Sequence, residues 1–144
     1  MEISTEENEK RVSTVYERAM NAVHQGKDIS EQENFVYQIE LMTQEINSGA
    51  SFEQYFRWVG KPELDEILDH VKALDLPEVY SVVEQAIRVA FPDGVPDDED
   101  EYEASTAWNE AQEQALTSLF EEFEKYNGVI MNKLGRFIEA NGLA

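Results

Sequence analysis

Residues 30–60 read SEQENFVYQIELMTQEINSGASFEQYFRWVG, and the spacing of their apolar side chains decides the fold. Ser30 followed by Glu33 is a capping-box pattern that opens a helix. Phe35, Ile39, Met42 and Ile46 come next at intervals of four, three and four, the repeat of a single helix face. Gly49 closes that helix, since glycine accepts the positive φ common at helix ends. Ser51 then caps a short helix presenting Phe52, Tyr55, Phe56 and Val59, and Gly60 stops it.

The same period extends in both directions. Upstream, Val12, Val15, Tyr16, Ala19 and Val23 form an apolar stripe, placing an N-terminal helix over about residues 5–25. Its leading Glu2, Glu6, Glu7 and Glu9 suit the positive end of the helix dipole. Downstream, Pro62 suits the first turn of a helix with Leu64, Ile67, Leu68, Val71 and Leu74 inward. Pro77 opens another, carrying Tyr80, Val83, Ile87, Ala90 and Phe91. Residues 92–104, rich in proline, glycine and acid, form the one long break and are expected to be an acidic loop. Ser105 caps the next helix, with Trp108, Ala115, Leu119, Phe123 and Tyr126, and a last helix after Gly128 holds Ile130, Leu134, Phe137 and Ile138. Strand patterns and internal repeats are lacking. The expectation is an all-α protein, a single-domain bundle (1–144) of six to seven short helices with one long acidic loop.

Composition narrows the function. The 144 residues are 42% hydrophobic, so the chain holds enough apolar mass for a core despite a net charge of −20. Without cysteine it has no disulfide, zinc–thiolate site, iron–sulfur cluster or thiol nucleophile. The first twenty residues have acids in front and no apolar run, unlike a signal peptide. Apolar stretches are far shorter than the ~20 residues of a membrane span. A cytoplasmic protein is the default expectation.

The charge is uneven. Between Arg88 and Lys125 lie 36 residues without lysine or arginine, and they carry twelve carboxylates. Such a surface repels nucleic acid and acidic membranes and attracts basic proteins. Two readings stand side by side. The acidic segment is either a solvated excursion that keeps the protein soluble, or a phosphate-mimicking surface held on a firm scaffold. Helices suit the second, because residues three or four apart lie about 5–6 Å from each other. By this count Glu110, Glu113, Glu121 and Glu124 share an outer face, as do Glu63, Glu66 and Asp69, and Glu33 and Glu40 also point outward.

Other chemistry finds little support. An EF-hand frame starting at Asp98 meets Tyr102 at its fifth position and Glu103 where glycine belongs. His24 and His70, the only histidines, have no glutamate three residues before them, which a di-iron bundle requires. No phosphate loop, H-E-x-x-H or G-x-S-x-G occurs. The reading is therefore no enzyme, no metal and no cofactor.

Three blocks carry a resemblance. The stretch from Asn47 through Gly49 to Phe52-x-Gln54-Tyr55-Phe56, the segment Phe91-Pro92-Asp93-Gly94-Val95-Pro96, and Leu119-Phe120-Glu121-Glu122-Phe123 with Tyr126 together cover about residues 34–140. They resemble the acidic, all-helical DNA-mimic protein family first described from Neisseria. This chain departs from the family pattern with Ala50 and Ser51 where a second glycine and a phenylalanine stand. It also has Trp58 near an expected asparagine, and an acidic run replacing an arginine after the proline segment. Asn47, Gly49, Gln54 and Phe56 are expected to fix a helix–turn–helix corner, with glycine allowing positive φ there.

The resemblance agrees with the charge: an acidic interaction protein, a DNA mimic for the nucleic-acid-binding surface of a transcription regulator, nucleoid protein or nuclease. The alternative is an immunity or antitoxin protein for a toxin with a basic cleft. The expected contact patch is Asp97, Asp98, Glu99, Asp100, Glu101 and Glu103, with Glu110 and Glu113 beside them. Tyr102 is either an aromatic anchor for the partner or a residue folded back on the bundle. A dimer would use a less charged surface, around Lys133 and Arg136.

Overall fold

The computed structural model describes residues 2–143, which form eight α-helices and no strand. They are α1 (Glu6–His24), α2 (Glu31–Gly49), α3 (Glu53–Trp58), α4 (Lys61–Ala73), α5 (Pro77–Ala90), α6 (Glu99–Ser105), α7 (Glu110–Glu124) and α8 (Asn127–Ala140). The all-α expectation holds, and the helix beyond the expected count is α6, inside the acidic segment. None of the described helices is long and apolar enough to cross a membrane.

The packing divides into two units. Residues 1–41 and 126–144 make the first, and residues 42–125 the second, so that α2 contributes its first part to one and its last part to the other. In the first unit α1 packs along α8. Val12, Val15 and Ala19 are fully buried there, as are Leu134 and Ile138. Tyr16 stacks on Tyr37 with ring centroids 5.5 Å apart, and Phe35 meets Phe137 at 4.5 Å. The Ser30–Glu33 capping box forms as the sequence suggests, the Ser30 N–H donating to Glu33 and the Glu33 N–H to Ser30 Oγ at 3.0 Å. The hydrogen bonds from Ser30 hold the Glu33 carboxyl below its ordinary pKa.

A buried amide fastens α8 to the chain before and within α1. Asn132 Oδ1 accepts from the Thr5 N–H at 2.9 Å and from Asn8 Nδ2 at 3.1 Å, while its Nδ2 donates to Glu2 and to the Ile3 carbonyl. This contact needs two glycines. A Cβ on Gly135 would land on the Asn8 side chain, and one on Gly128 on the Glu2 backbone. Gly128 therefore lies inside α8 and does not precede it.

In the second unit α5 packs against both α4 and α7, and the aromatic motif of α3 lies at the centre. Phe56 is fully buried, with Phe52, Tyr55, Phe91 and Trp108 around it at centroid distances of 5.7–6.4 Å. Val79, Val82, Val83, Ala86 and Ala90 form the buried stripe of α5. Tyr80 and Ile87, assigned inward from the sequence, are only half-buried. Glu40, expected outward on α2, is buried.

The corner after α2 differs from expectation in an instructive way. Positive φ falls on Ala50 (51°), not on Gly49. Gly49 is required for closeness instead, because a Cβ there would stand 2.9 Å from Gln54 Cβ. Gln54 in turn donates to Glu45 at 2.7 Å. Ser51 does assist α3, its Oγ accepting from the Glu53 N–H. Ser105, by contrast, terminates α6. The residue that caps α7 is Asn109, which exchanges bonds with Gln112 in a capping box.

Candidate functional site

The excess charge is not shared equally. The second unit holds twenty-one acidic residues against five lysines and arginines, net −16, whereas the first holds ten against six, net −4. Four of those five cations already have partners: Arg57 pairs with Glu53, Lys61 with Asp65, Arg88 with Glu84 and Lys125 with Glu122. All four pairs join near neighbours along the chain, where such exposed contacts add little stability. Among the described residues, Asp97, Asp98, Glu99, Asp100, Glu101 and Glu103 have no ion pair with lysine or arginine.

Glu99, Asp100, Glu101 and Glu103 lie on a helix, so the loop expected over residues 92–104 runs only as far as Asp98. Pro92 to Asp98 reach α6 through a turn in which the Gly94 N–H donates to the Phe91 carbonyl, with Gly94 at φ 96°. Asp98 caps α6, its carboxylate accepting from the Glu101 N–H at 3.0 Å. Acids in a first turn are favoured by the helix dipole, and Glu99, Asp100 and Glu101 occupy that turn. Seven residues are too few for a helix that stands alone. Tyr102, the one buried residue of α6, holds it to the unit. Its hydroxyl donates to the Phe56 carbonyl at 2.6 Å, and its ring lies 5.1 Å from Phe91. Tyr102 is thus a seat for the acidic helix, its side chain folded back on the unit as one of its two expected readings had it. Burial raises its pKa, with the Glu63 carboxylate adding to the effect. Tyr55, behind the same wall, is also raised by burial, and its hydroxyl finds no hydrogen-bond partner.

Two depressions flank α3. The larger, about 940 Å³, runs between the end of α3 with the start of α4 and the exposed side of α6. Asp97, Glu99, Asp100 and Glu103 line it together with Arg57, Trp58 and Lys61. The second is shallower, about 680 Å³, and lined by Glu53, Glu110, Glu113, Gln114, Thr117 and Ser118. The expected patch is therefore divided: four of its acids share a groove, Glu110 and Glu113 lie in a separate depression, Asp98 serves as a cap, and Glu101 is exposed. The Glu53–Arg57 pair links the two depressions, since each partner lines one of them.

The groove contains positive groups that a reading of the acidic run alone left out. Lys61 feels Asp97 in addition to its bonded partner Asp65, and the two carboxylates raise its pKa. Arg57 lies over the Trp108 ring, 5.1 Å from its centroid. Trp108 Nε1 donates to the Ala90 carbonyl, so this indole is fixed at both its edge and its face. Trp58 differs: at 78% exposure it ranks with Ile3 and Val23 as an exposed large apolar side chain. No sequence period marks it, because α3 is too short to define an outer face.

No group of three or more His, Asp or Glu among the described residues is placed to hold a metal ion. Fold and surface together define a class: an all-helical acidic protein that carries, among the described residues, carboxylates without ion pairs on a short helix seated against aromatic side chains. The DMP19-like protein family matches residues 27–141, and the chain belongs to that family of DNA-mimic proteins. The match begins after α1, so the helix that packs on α8 lies outside the matched region. No curated protein and no solved structure was found to match the chain.

Proposed function

We propose that this protein is a non-enzymatic DNA mimic that occupies the nucleic-acid-binding surface of a basic protein, such as a transcription regulator, a nucleoid protein or a nuclease. The observation that supports the reading is the set of α6 carboxylates, held by a cap and a buried tyrosine yet paired with no lysine or arginine among the described residues. Duplex DNA presents one charge per ~1.7 Å of axis, and proteins that bind it gain by neutralising that charge. A competitor needs many carboxylates in fixed positions, and α6 and the first turn of α7 provide them within one packed unit. Attraction of this kind steers encounter and weakens steeply with salt.

The test is capture of partners from host lysate on the immobilised protein, washed at rising salt, with duplex DNA added as competitor. A DNA-binding protein that is released by salt and displaced by DNA supports the mimic. A single protein without nucleic-acid affinity that survives the salt wash replaces it with the immunity or antitoxin reading. Capture should also fall when Asp97, Glu99, Asp100 and Glu103 are changed together to their amides. Undiminished capture by that variant would remove α6 from the contact surface.

A further inference from the structure

We infer that the groove between α3 and α6 is an arginine-selective docking site, in which a guanidinium group of the partner lies on the Trp58 indole and is met by the α6 carboxylates. This rests on the mimic reading and deepens it, since it names the side chain that the surface recognises. Trp58 carries the argument independently of the acids. A tryptophan 78% exposed at the rim of a concave surface keeps a large apolar face in water, and such residues are the usual anchors of protein interfaces. The same groove is also lined by Asp97, Glu99, Asp100 and Glu103.

A partner group suited to both the indole and the carboxylates must be cationic and flat. Guanidinium is planar, weakly hydrated, stacks on aromatic faces and donates in a fork that matches a carboxylate. An ammonium is compact and strongly hydrated, and gains from the carboxylates only as a point charge. DNA-binding surfaces offer arginine commonly, because a bidentate arginine is the usual reader of guanine. The chain itself contains the same contact one residue away, where Arg57 lies over Trp108. The two cations already in the groove do not oppose the docking strongly. Arg57 is held by Glu53 and by Trp108, and Lys61 by Asp65.

The experiment titrates the full chain with labelled oligoarginine and oligolysine of equal length at one low salt concentration, following anisotropy. Oligoarginine should bind more tightly by roughly threefold to tenfold, the range expected of one cation–π contact at a partly exposed site. Trp58→Ala should abolish this preference by lowering oligoarginine affinity more than oligolysine affinity, and Trp58→Phe should retain part of it. Equal affinity of the wild-type protein for the two peptides overturns the site and leaves the mimic reading standing, as does an equal loss for both peptides in Trp58→Ala. Binding of neither peptide overturns both. If the wild-type chain self-associates, and Trp58→Ala abolishes that association without changing peptide preference, the surface belongs to a second copy and the arginine site is refuted.

Discussion

Replacing Tyr102 by phenylalanine removes one oxygen atom and should loosen the acidic helix. The hydroxyl donates to the Phe56 carbonyl at 2.6 Å in a buried setting. That carbonyl lies in the last turn of α3, where no further helical N–H can reach it. Loss of a buried hydrogen bond that strands its acceptor costs about 1–2 kcal/mol, which for a chain of this size lowers Tm by roughly 3–8 °C. The control is Tyr55→Phe. Its hydroxyl is buried without a partner, so removal should leave stability unchanged or raise it by up to about 1 kcal/mol. Denaturant unfolding gives both values, and hydrogen exchange over residues 99–105 reports whether α6 loses protection in Tyr102→Phe alone. Equal effects of the two substitutions, or full protection of α6 in Tyr102→Phe, would refute the assignment of Tyr102 as the seat.

Gly135→Ala should destabilise the protein by about 1–3 kcal/mol, as overpacking does, although helix propensity favours alanine by about 1 kcal/mol; a rise in Tm would show that Asn8 does not crowd α8. Changing Asp97, Glu99, Asp100 and Glu103 together to amides should leave stability at low salt equal or higher and reduce its gain with added salt, measured by thermal melts. A marked loss of stability would mean that these carboxylates hold the fold. Burial raises the pKa of Tyr55 and Tyr102 above the ordinary 10.0. The unfolded chain therefore releases these protons first, so the stability they protect is complete below about pH 10 and declines as pH rises above it. Tyrosinate absorbance followed during alkaline titration should show Tyr55 and Tyr102 ionising only with unfolding, and their ionisation at the ordinary pH would contradict the burial.

Helix starts were the most legible part of the sequence. Ser30 with Glu33, Pro62 and Pro77 act locally, and each does in the structure what its residue type suggests. Features that depend on close approach between distant residues were not readable. Gly49 and Gly135 look like helix-ending or helix-weakening residues until Gln54 and Asn8 are seen against them. The α6 helix was hidden for a similar reason. Its seven residues expose a face of acids and bury one tyrosine, too little for a period to register, and its order comes from contacts with α3 and Phe91. The acids of the candidate surface were found from charge density alone, but their division between two depressions follows from packing around α3. Trp58 was visible only as a departure from a motif.

Because Tyr102 is the one buried residue of α6, the exposed positions on that helix carry little folding constraint. Glu99, Asp100, Glu101 and Glu103 are all exposed, and their side chains can be exchanged, rearranged or neutralised with little consequence for the protein beneath. Inheritance can then alter what this surface recognises one side chain at a time, without passing through forms that fail to fold. A lineage that keeps the tyrosine keeps the platform, and the pattern of charge on it is open to revision whenever the partner changes.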